Sequence, residues 1–374
     1  MFHMQSYIVV GAGILGASAA YHLARSGARV TVVDRQDAGR ATDAAAGIIC
    51  PWLSQRRNKD WYTLAKNGAR YYSTLVAQLE EDGETDTGYK RAGAICLHTE
   101  EKLEQLEERA RLRRKDAPEI GKILRLSPSE TKALFPPLSE QYGSVYISGA
   151  ARVNGAALRL AMIHASQKHG ATVLQGDAEL IYENNRVTGV TVAGSILQAD
   201  QVLVTVGAWV NELLRPLGIL FRGTFQKAQI VHLQLPEAGT DNWPVVMPPN
   251  DQYILAFENG RIVTGATHEN ETGFDTRVTA GGLHEVFDKA LAIAPGLADA
   301  AVLETRVGFR PFTPGFLPVI GRLPHYEGLL IANGLGASGL TAGPYLGAEL
   351  AKLALGEPTE LDVSRYDPVQ ACSE

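Results

Sequence analysis

The sequence predicts an α/β fold with two domains, of which the first is discontinuous along the chain. Residues 7–34 open with a strand, a glycine-rich turn, a helix and a second strand, which is the start of a parallel sheet. A second glycine-rich unit, residues 329–343, leads into a helix near the other end. Segments between them, such as residues 225–235 and 252–267, alternate like strands of an antiparallel sheet. If both ends serve one site, distant parts of the chain must assemble the first domain.

Size, charge and cysteine usage restrict the functional classes. The 374 residues suggest about two domains. A net charge of −6 provides no basic field for a nucleic acid partner. Cys50, Cys96 and Cys372 are far apart, so we expect no disulfide framework, no metal site and a cytoplasmic location. No segment has the ~18 consecutive apolar residues that an integral membrane span requires.

The first strand runs directly into a turn of the pattern G-x-G-x-x-G, namely Gly11-Ala12-Gly13-Ile14-Leu15-Gly16. Gly11 permits the tight turn, Gly13 lets a pyrophosphate approach the backbone, and Gly16 allows close packing of helix on strand. The free N–H groups and positive dipole end of the following helix favour a diphosphate. The turn therefore predicts a Rossmann-like dinucleotide-binding domain.

Asp34 ends the second strand, 18 residues after Gly16. Its carboxylate can accept hydrogen bonds from both ribose hydroxyls and would repel a 2′-phosphate, which argues against NADP. The glycine motif alone does not separate FAD from NAD.

Two further segments favour FAD. Residues 41–48 are small, with one hydroxyl at Thr42, and suit a backbone that wraps a large flat cofactor. Residues 334–341 lead into a helix whose N-terminus would stabilise negative charge on a reduced flavin. A plain NAD dehydrogenase would have no use for this second segment.

On these residues the chain resembles the D-amino-acid oxidase-like superfamily of FAD-dependent amine oxidoreductases, and within it the glycine oxidase and sarcosine oxidase branch. The resemblance extends over nearly the full length, and the matching segments are residues 8–34, 42–48, 204–209, 253–267 and 308–341. The architecture that follows is a Rossmann-like FAD-binding domain and an α+β substrate domain on an antiparallel sheet. The expected ranges are 1–80, 148–218 and 306–374 for the first domain, and 81–147 and 219–305 for the second.

The resemblance implies a non-covalent FAD site, since no cysteine stands at residues 311–318 to attach the flavin. The residues at the ADP half would be Gly11, Gly13, Ile14, Leu15, Gly16, Asp34 and Arg35. Those along the ribityl chain and flavin would be Thr42, Ala45, Ala46, Gly47 and Ile48. The backbone of Ala178 and Glu179 would contact the adenine side, and Gly207 and Trp209 the pyrophosphate region. The flavin O2 edge would be covered by Gly334, Gly336, Ala337, Ser338, Gly339, Leu340 and Thr341.

Three residues are implied on the substrate side. Arg310 matches an arginine that clamps the substrate carboxylate next to the flavin, a task that suits the planar guanidinium. Tyr253 matches a tyrosine that binds the same carboxylate, and His268 follows a predicted strand that faces the pocket. The alternatives are an arginine in a structural ion pair, a core tyrosine and an exposed turn histidine.

The implied reaction is oxidation of a small amino acid or N-substituted amino acid. A Cα hydride would pass to flavin N5, and water would hydrolyse the imine to a 2-oxo acid and an amine. Related enzymes carry a basic residue where this chain has Ala337, or a lysine near residues 261–265, so fast reaction with oxygen is in doubt. The acceptor would be oxygen or a quinone or other electron carrier, and a homo-oligomer is expected. Oxidation of a hydroxyl or phosphorylated polyol, and a non-catalytic flavoprotein, stay open as alternatives.

Overall fold

The computed structural model describes residues 5–236 and 239–373. A six-stranded sheet combines segments from both ends and the middle of the chain. In spatial order its strands are Val319–Arg322, Leu329–Asn333, Gln201–Val204, Ser6–Val10, Arg29–Asp34 and Thr172–Gln175. All neighbours are parallel except the first pair. The discontinuous parallel sheet expected from the sequence is therefore present.

Helices cover one face of this sheet. The helix Ile14–Arg25 packs against Gly155–Lys168 and Gly339–Leu355, and Lys59–Glu81 packs outside them. Small residues make the close approach possible, since a Cβ at Gly347 would lie 2.5 Å from the Leu15 carbonyl oxygen.

A three-stranded sheet covers the opposite face, with strands Ala178–Glu183, Arg186–Val192 and Ser195–Gln198. Its Val190 and Val192 share a buried cluster with Ile8 and Val10 of the large sheet. The sequence suggests one small strand cluster over residues 171–206. The structure divides it, because its first and last strands pair with the parallel sheet instead.

The second large sheet has eight strands in the described part of the chain. Their spatial order is Ala301–Phe312, Thr224–Gln234, Arg261–Gly265, Tyr253–Ala256, Val245–Met247, Ala94–His98, Gly143–Ile147 and Ile123–Leu126. Neighbours are antiparallel except for the parallel pair formed by Val245–Met247 and Ala94–His98. The strand Ala301–Phe312 crosses the domain boundary expected at residue 306.

The remaining elements join or cover the sheets. The helices are Ala41–Ala44, Glu100–Arg114, Pro128–Leu134, Val210–Leu214 and Ala280–Ile293. Two short strand pairs are Ile48–Ile49 with Ala151–Arg152, and Leu220–Phe221 with Cys372–Ser373. The outermost expected domain ends, residues 1 and 374, lie outside the described residues.

A partly buried histidine in the first helix makes stability depend on pH. His22 donates from Nδ1 to the Ser18 carbonyl oxygen, 2.8 Å away, and its Nε2 accepts from the Tyr71 hydroxyl. Burial lowers the pKa of His22 to about 4, below its unfolded value near 6.5. The contribution of His22 to the free energy of unfolding is therefore fully present above pH 6.5 and is lost as the pH falls towards 4. The reason is that the unfolded chain binds the proton more readily than the folded chain does.

We expect His22 to contribute about 2 kcal/mol to the loss of unfolding free energy between pH 7 and pH 5. Urea unfolding of the wild type and of His22→Gln at both pH values measures this. The pH-dependent difference should shrink in the variant, whatever the change in stability at pH 7. An unchanged difference would mean that His22 does not titrate in this range.

Candidate active site and FAD cavity

A cavity of about 750 Å³ is lined by residues of both large sheets and of the segments that follow the parallel strands. Apart from Gly16, every cofactor and substrate residue expected from the sequence lines it. Its lining includes Asp34 and Glu179 of the first domain together with Tyr253 and Arg310 of the second large sheet. Its position beyond the carboxyl ends of parallel strands is the usual place for a dinucleotide.

The three motif glycines have different surroundings. A Cβ at Gly16 would lie 1.9 Å from the Gly11 carbonyl oxygen and 2.4 Å from Thr205 Oγ1, so Gly16 serves helix packing behind the cavity. Gly11 has a φ of +96° and also lies against the backbone of Thr205. A Cβ at Gly13 would meet only Thr42 Oγ1, at 3.5 Å. Gly13 therefore faces open space that a pyrophosphate can enter.

The N-terminus of the first helix is suited to an anion. Its N-cap residue, Gly13, makes no side-chain capping bond, and the first turn contains no acidic residue. Ile14 N–H donates to Thr42 Oγ1 at 2.9 Å, which ties the segment 41–48 to this helix end. The dipole and the backbone N–H groups therefore act on the cavity without a competing carboxylate in that turn.

Asp34 lines the cavity at the end of its strand and is held in place by its own loop. One oxygen accepts from Ala12 N–H at 2.5 Å, and the other accepts from Gln36 N–H at 2.7 Å. The carboxylate also forms a salt bridge with Arg40, which in turn pairs with Asp43 at 2.9 Å. Its side chain is 12% exposed, so a ribose can reach it from the cavity.

Arg40 and Arg35 differ in what they contact. Sequence reasoning singled out Arg35, whose guanidinium pairs with Asp37 at 2.8 Å and Glu212 at 3.0 Å. It missed Arg40, which contacts Asp34 directly and lines the cavity. The only available signal was a basic residue next to the small-residue segment, and this does not identify a partner.

The two small-residue segments, residues 41–48 and 334–341, are bonded to each other. Thr341 donates from Oγ1 to the Ile48 carbonyl oxygen at 2.9 Å. Gly47, with a φ of +96°, lies so close to Val153 that a Cβ would stand 1.8 Å from its carbonyl oxygen. The indole of Trp61, which sequence reasoning also missed, donates to Ser338 Oγ at 3.0 Å. These bonds fix a backbone-lined cradle of the kind a flat cofactor needs.

Arg310 and Tyr253 both line the cavity. They lie on strands of the same sheet, and the positive charge of the Arg310 guanidinium acts on the Tyr253 hydroxyl. Burial raises the pKa of Tyr253, so its hydroxyl keeps its proton and can donate to a carboxylate. Within the described residues Arg310 forms no salt bridge. Asp251, which lines the same cavity, pairs with Lys289 and His268.

His268 lines the cavity beside this pair. Its Nδ1 lies 3.5 Å from Asp251 Oδ2, and Lys289 Nζ lies 2.8 Å from the other oxygen of Asp251. Burial, followed by the charge of Arg310, lowers the pKa of His268, so the imidazole is neutral at pH 7. A neutral imidazole at this position can accept a hydrogen bond from an amine.

The described residues that line the cavity include no lysine. Ile262, Val263 and Thr264 are buried in the second large sheet, and Ala337 contributes only a methyl group to the cavity wall. In the same described ranges, no helix has the length and apolar character needed to span a membrane. No group of three or more potential metal-ligating side chains is found across residues 5–236 and 239–373.

Comparisons with known proteins agree with this geometry. The family model described as DAO, FAD dependent oxidoreductase, matches residues 6–353. An uncharacterized oxidoreductase of Bacillus subtilis, YurR, is 68% identical over 98% of this chain and 100% of its own. A glycine oxidase of Pseudomonas aeruginosa is 29% identical over 96% of this chain and 98% of its own. The crystal structure of iminodiacetate oxidase from Chelativorans sp. BNC1 superposes with a TM-score of 0.94 at 47% identity, covering 97% of this chain and 98% of that one.

Proposed function

Because the chain belongs to the DAO family of FAD-dependent oxidoreductases, we propose that it oxidises a small amino acid or N-substituted amino acid that carries a carboxylate. The observation that carries the proposal is the pair Arg310 and Tyr253, which lines the cavity without an acidic partner for the arginine in the described residues. A guanidinium without a counterion beside a protonated phenol is a site for an incoming carboxylate.

The residues present fit FAD, the cofactor of this family. We assign the diphosphate to the open helix N-terminus at Gly13, a ribose to Asp34, and the flavin to the cradle formed by segments 41–48 and 334–341. When bound, FAD supplies a two-electron oxidant for the substrate carbon–nitrogen bond.

The protein's own part is orientation. Arg310 would hold the carboxylate through two parallel N–H donors, and the Tyr253 hydroxyl would add a third bond. With three bonds the Cα–H direction is fixed, which is what an oriented transfer requires. His268, neutral at pH 7, would accept a hydrogen bond from the amine and favour its unprotonated, reactive form. The imine product would then hydrolyse to a 2-oxo acid and an amine.

The test is anaerobic titration of the purified yellow holoenzyme with glycine, sarcosine, iminodiacetate, L-proline and D-amino acids, monitored by flavin absorbance. We expect at least one of these carboxylated amines to bleach the flavin and to give a 2-oxo acid. Bleaching only by an alcohol or a phosphorylated polyol would replace the amine reaction by hydroxyl oxidation. A flavin that dithionite reduces but no substrate of either class bleaches would indicate a non-catalytic flavoprotein.

The electron acceptor, the assembly state and the location stay predictions. We propose oxygen or a quinone-type carrier as acceptor, a homo-oligomer and a cytoplasmic setting. Comparing reoxidation rates of the reduced enzyme by oxygen and by a soluble quinone separates the two acceptors.

A further inference from the structure

His268 is held on the cavity side of the second large sheet by the backbone next to it. Glu269 and Lys227 exchange two backbone hydrogen bonds of 2.9 Å, so His268 stands opposite Ala228 on the neighbouring strand. Residues that stand opposite each other point to the same face of a sheet. Ala228 and His268 both line the cavity, in agreement with this shared face.

Arg310 approaches the same face from the other side of that strand. It pairs with Gln226, two residues before Ala228, and side chains two residues apart in a strand share a face. Arg310 and His268 therefore flank one strand, Thr224–Gln234, and both line the cavity. The backbones that carry them are two strand spacings apart, roughly 10 Å, so a small amino acid bound by Arg310 can bring its nitrogen to His268.

The Asp251 carboxylate lies beside the imidazole and also lines the cavity. Its Oδ2 is 3.5 Å from His268 Nδ1. The next residue, Gln252, is buried and donates from Nε2 to the Ala266 carbonyl oxygen at 2.9 Å, which ties the turn of Asp251 to the segment of His268. The carboxylate attracts a proton on Nδ1, and a neutral imidazole that carries its proton there has Nε2 as its acceptor. Among the described residues none forms a hydrogen bond with His268 Nε2, so this atom can accept one from a ligand.

A lysine of a neighbouring helix holds the other oxygen of this carboxylate. In the helix Ala280–Ile293, Lys289 donates from Nζ to Asp251 Oδ1 and to Glu285 Oε1, both at 2.8 Å. The ammonium group fixes the position of Asp251 and offsets part of its negative charge at the imidazole. Lys289 is not among the residues that line the cavity, so it acts on a ligand through Asp251 and the imidazole.

Charged groups of three elements act on His268. Burial lowers the pKa of His268 most, and the charge of Arg310 lowers this pKa further. Asp251 raises the pKa, Lys289 lowers it and Glu285 raises it. A substrate carboxylate bound to Arg310 would offset one of the two cations, and the imidazole would then take up a proton more readily.

We propose that Asp251 is a positioning residue, which holds His268 as the Nδ1–H tautomer so that Nε2 takes a proton from the substrate ammonium group, and that Lys289 sets how strongly it does so. This inference rests on the proposed function and deepens it. In the proton step the N–H bond of the substrate breaks, its electron pair stays on the substrate nitrogen, and Nε2 forms the new N–H bond. No oxidant takes part in this step, and Asp251 stabilises the imidazolium that results.

The test follows the pKa of His268 directly, by NMR of the FAD-loaded protein with carbon-13-labelled histidine. The signal of His268 among the nine histidines is the one that His268→Gln removes. Asp251→Asn removes the negative charge with little change of shape, and Lys289→Met removes the positive charge next to it. Lys132→Met is the matched control, because Lys132 also pairs with a carboxylate, that of Glu140 at 3.0 Å, and both side chains are exposed and outside the cavity lining.

Asp251→Asn should lower the pKa of His268 by about one pH unit, and Lys289→Met should raise it by about half a unit. The acidic limb of kcat/KM for a carboxylated amine should move in the same directions, because the neutral imidazole is the form that takes the proton. Asp251→Asn should also reduce kcat/KM at pH 7 about tenfold through loss of the tautomer, and Asp251→Glu should restore part of it. Lys132→Met should leave all of these values unchanged.

The outcomes separate this inference from the proposed function. If the wild type oxidises a carboxylated amine and both variants keep its pH profile, Asp251 does not act through His268, and the inference fails while the proposed function stands. Shifts of Asp251→Asn and Lys289→Met in one direction would indicate a general structural change and would overturn the inference as well. If no carboxylated amine bleaches the wild-type flavin, the proposed function fails, and the proton step fails with it even where the NMR shifts are as expected.

Discussion

The Arg310→Ala variant is expected to keep its FAD and to lose about 10³-fold in kcat/KM for carboxylated amines, the effect of removing two charged hydrogen bonds. The side chain faces the cavity, whereas the backbone of Arg310 pairs with Gln226 inside a long strand ladder. Truncation therefore removes the carboxylate donors without removing a structural ion pair, since none of the described residues forms one with Arg310. Steady-state kinetics and the flavin spectrum of the variant measure both parts.

A graded series shows whether geometry or charge is responsible. Arg310→Lys keeps the charge but not the two parallel donors, so its activity should lie between those of the wild type and Arg310→Ala. Tyr253→Phe removes one hydrogen bond to the carboxylate and should cost about tenfold, mostly in KM. Arg277→Ala, at a side chain that is 84% exposed, is the neutral control. Unchanged turnover of carboxylated amines by Arg310→Ala would show that the clamp lies elsewhere.

The position of Asp34 beside the glycine turn could be predicted from sequence because its signals are local. The glycine turn and Asp34 each follow a strand of one βαβ unit, and the carboxyl ends of parallel strands meet at one edge of a sheet. The hydrogen bond from Ala12 N–H to Asp34 follows from that arrangement. The family resemblance then extended the prediction to the second domain.

The proximity of Tyr253 and Arg310 could not be predicted from the spacing of residues in the sequence alone. Tyr253 and Arg310 come together only through the order of four strands in the second large sheet, and no local pattern specifies that order. Trp61 was missed because its partner, Ser338, lies 277 positions further along the chain. Arg40 was missed although Asp34 is only six positions away, because a basic residue after a strand does not identify its partner.

The same limit applies to the strands of residues 171–206. The hydrophobic pattern of a short apolar strand is the same in either sheet and does not identify the sheet that the strand joins. The sequence therefore suggested a single cluster. In the structure Thr172–Gln175 extends the parallel sheet beside Arg29–Asp34, and Ala178–Glu183 turns into the small sheet on its face. The intervening Gly176 and Asp177 line the cavity, so this change of sheet helps to form the cavity wall.

Gly16→Ala should mainly reduce the stability of the protein, and Gly13→Ala should mainly weaken FAD binding, although both glycines belong to one motif. A Cβ at Gly16 would overlap the Gly11 carbonyl oxygen and Thr205 Oγ1, both on rigid neighbours. We expect Gly16→Ala to destabilise the apoprotein by about 3 kcal/mol or more, because neither the Gly11 backbone nor the helix that begins at Ile14 can move away without a large energetic cost. Urea unfolding of the apoprotein measures this loss, and FAD binding should weaken only as a consequence of it.

Gly13→Ala should leave the apoprotein stable and weaken FAD binding by about 100-fold or more, roughly the 3 kcal/mol cost of a misplaced charged contact. The new methyl group meets only Thr42 Oγ1 at an ordinary 3.5 Å, and the φ of −69° suits alanine. It would, however, occupy the space through which a diphosphate reaches the helix N-terminus. Quenching of flavin fluorescence gives the Kd, with Gly281→Ala, where a Cβ meets nothing within 4 Å, as the control. If Gly13→Ala binds FAD as tightly as the control does, the diphosphate does not approach this turn, and the shared motif has only the packing role that Gly16 displays.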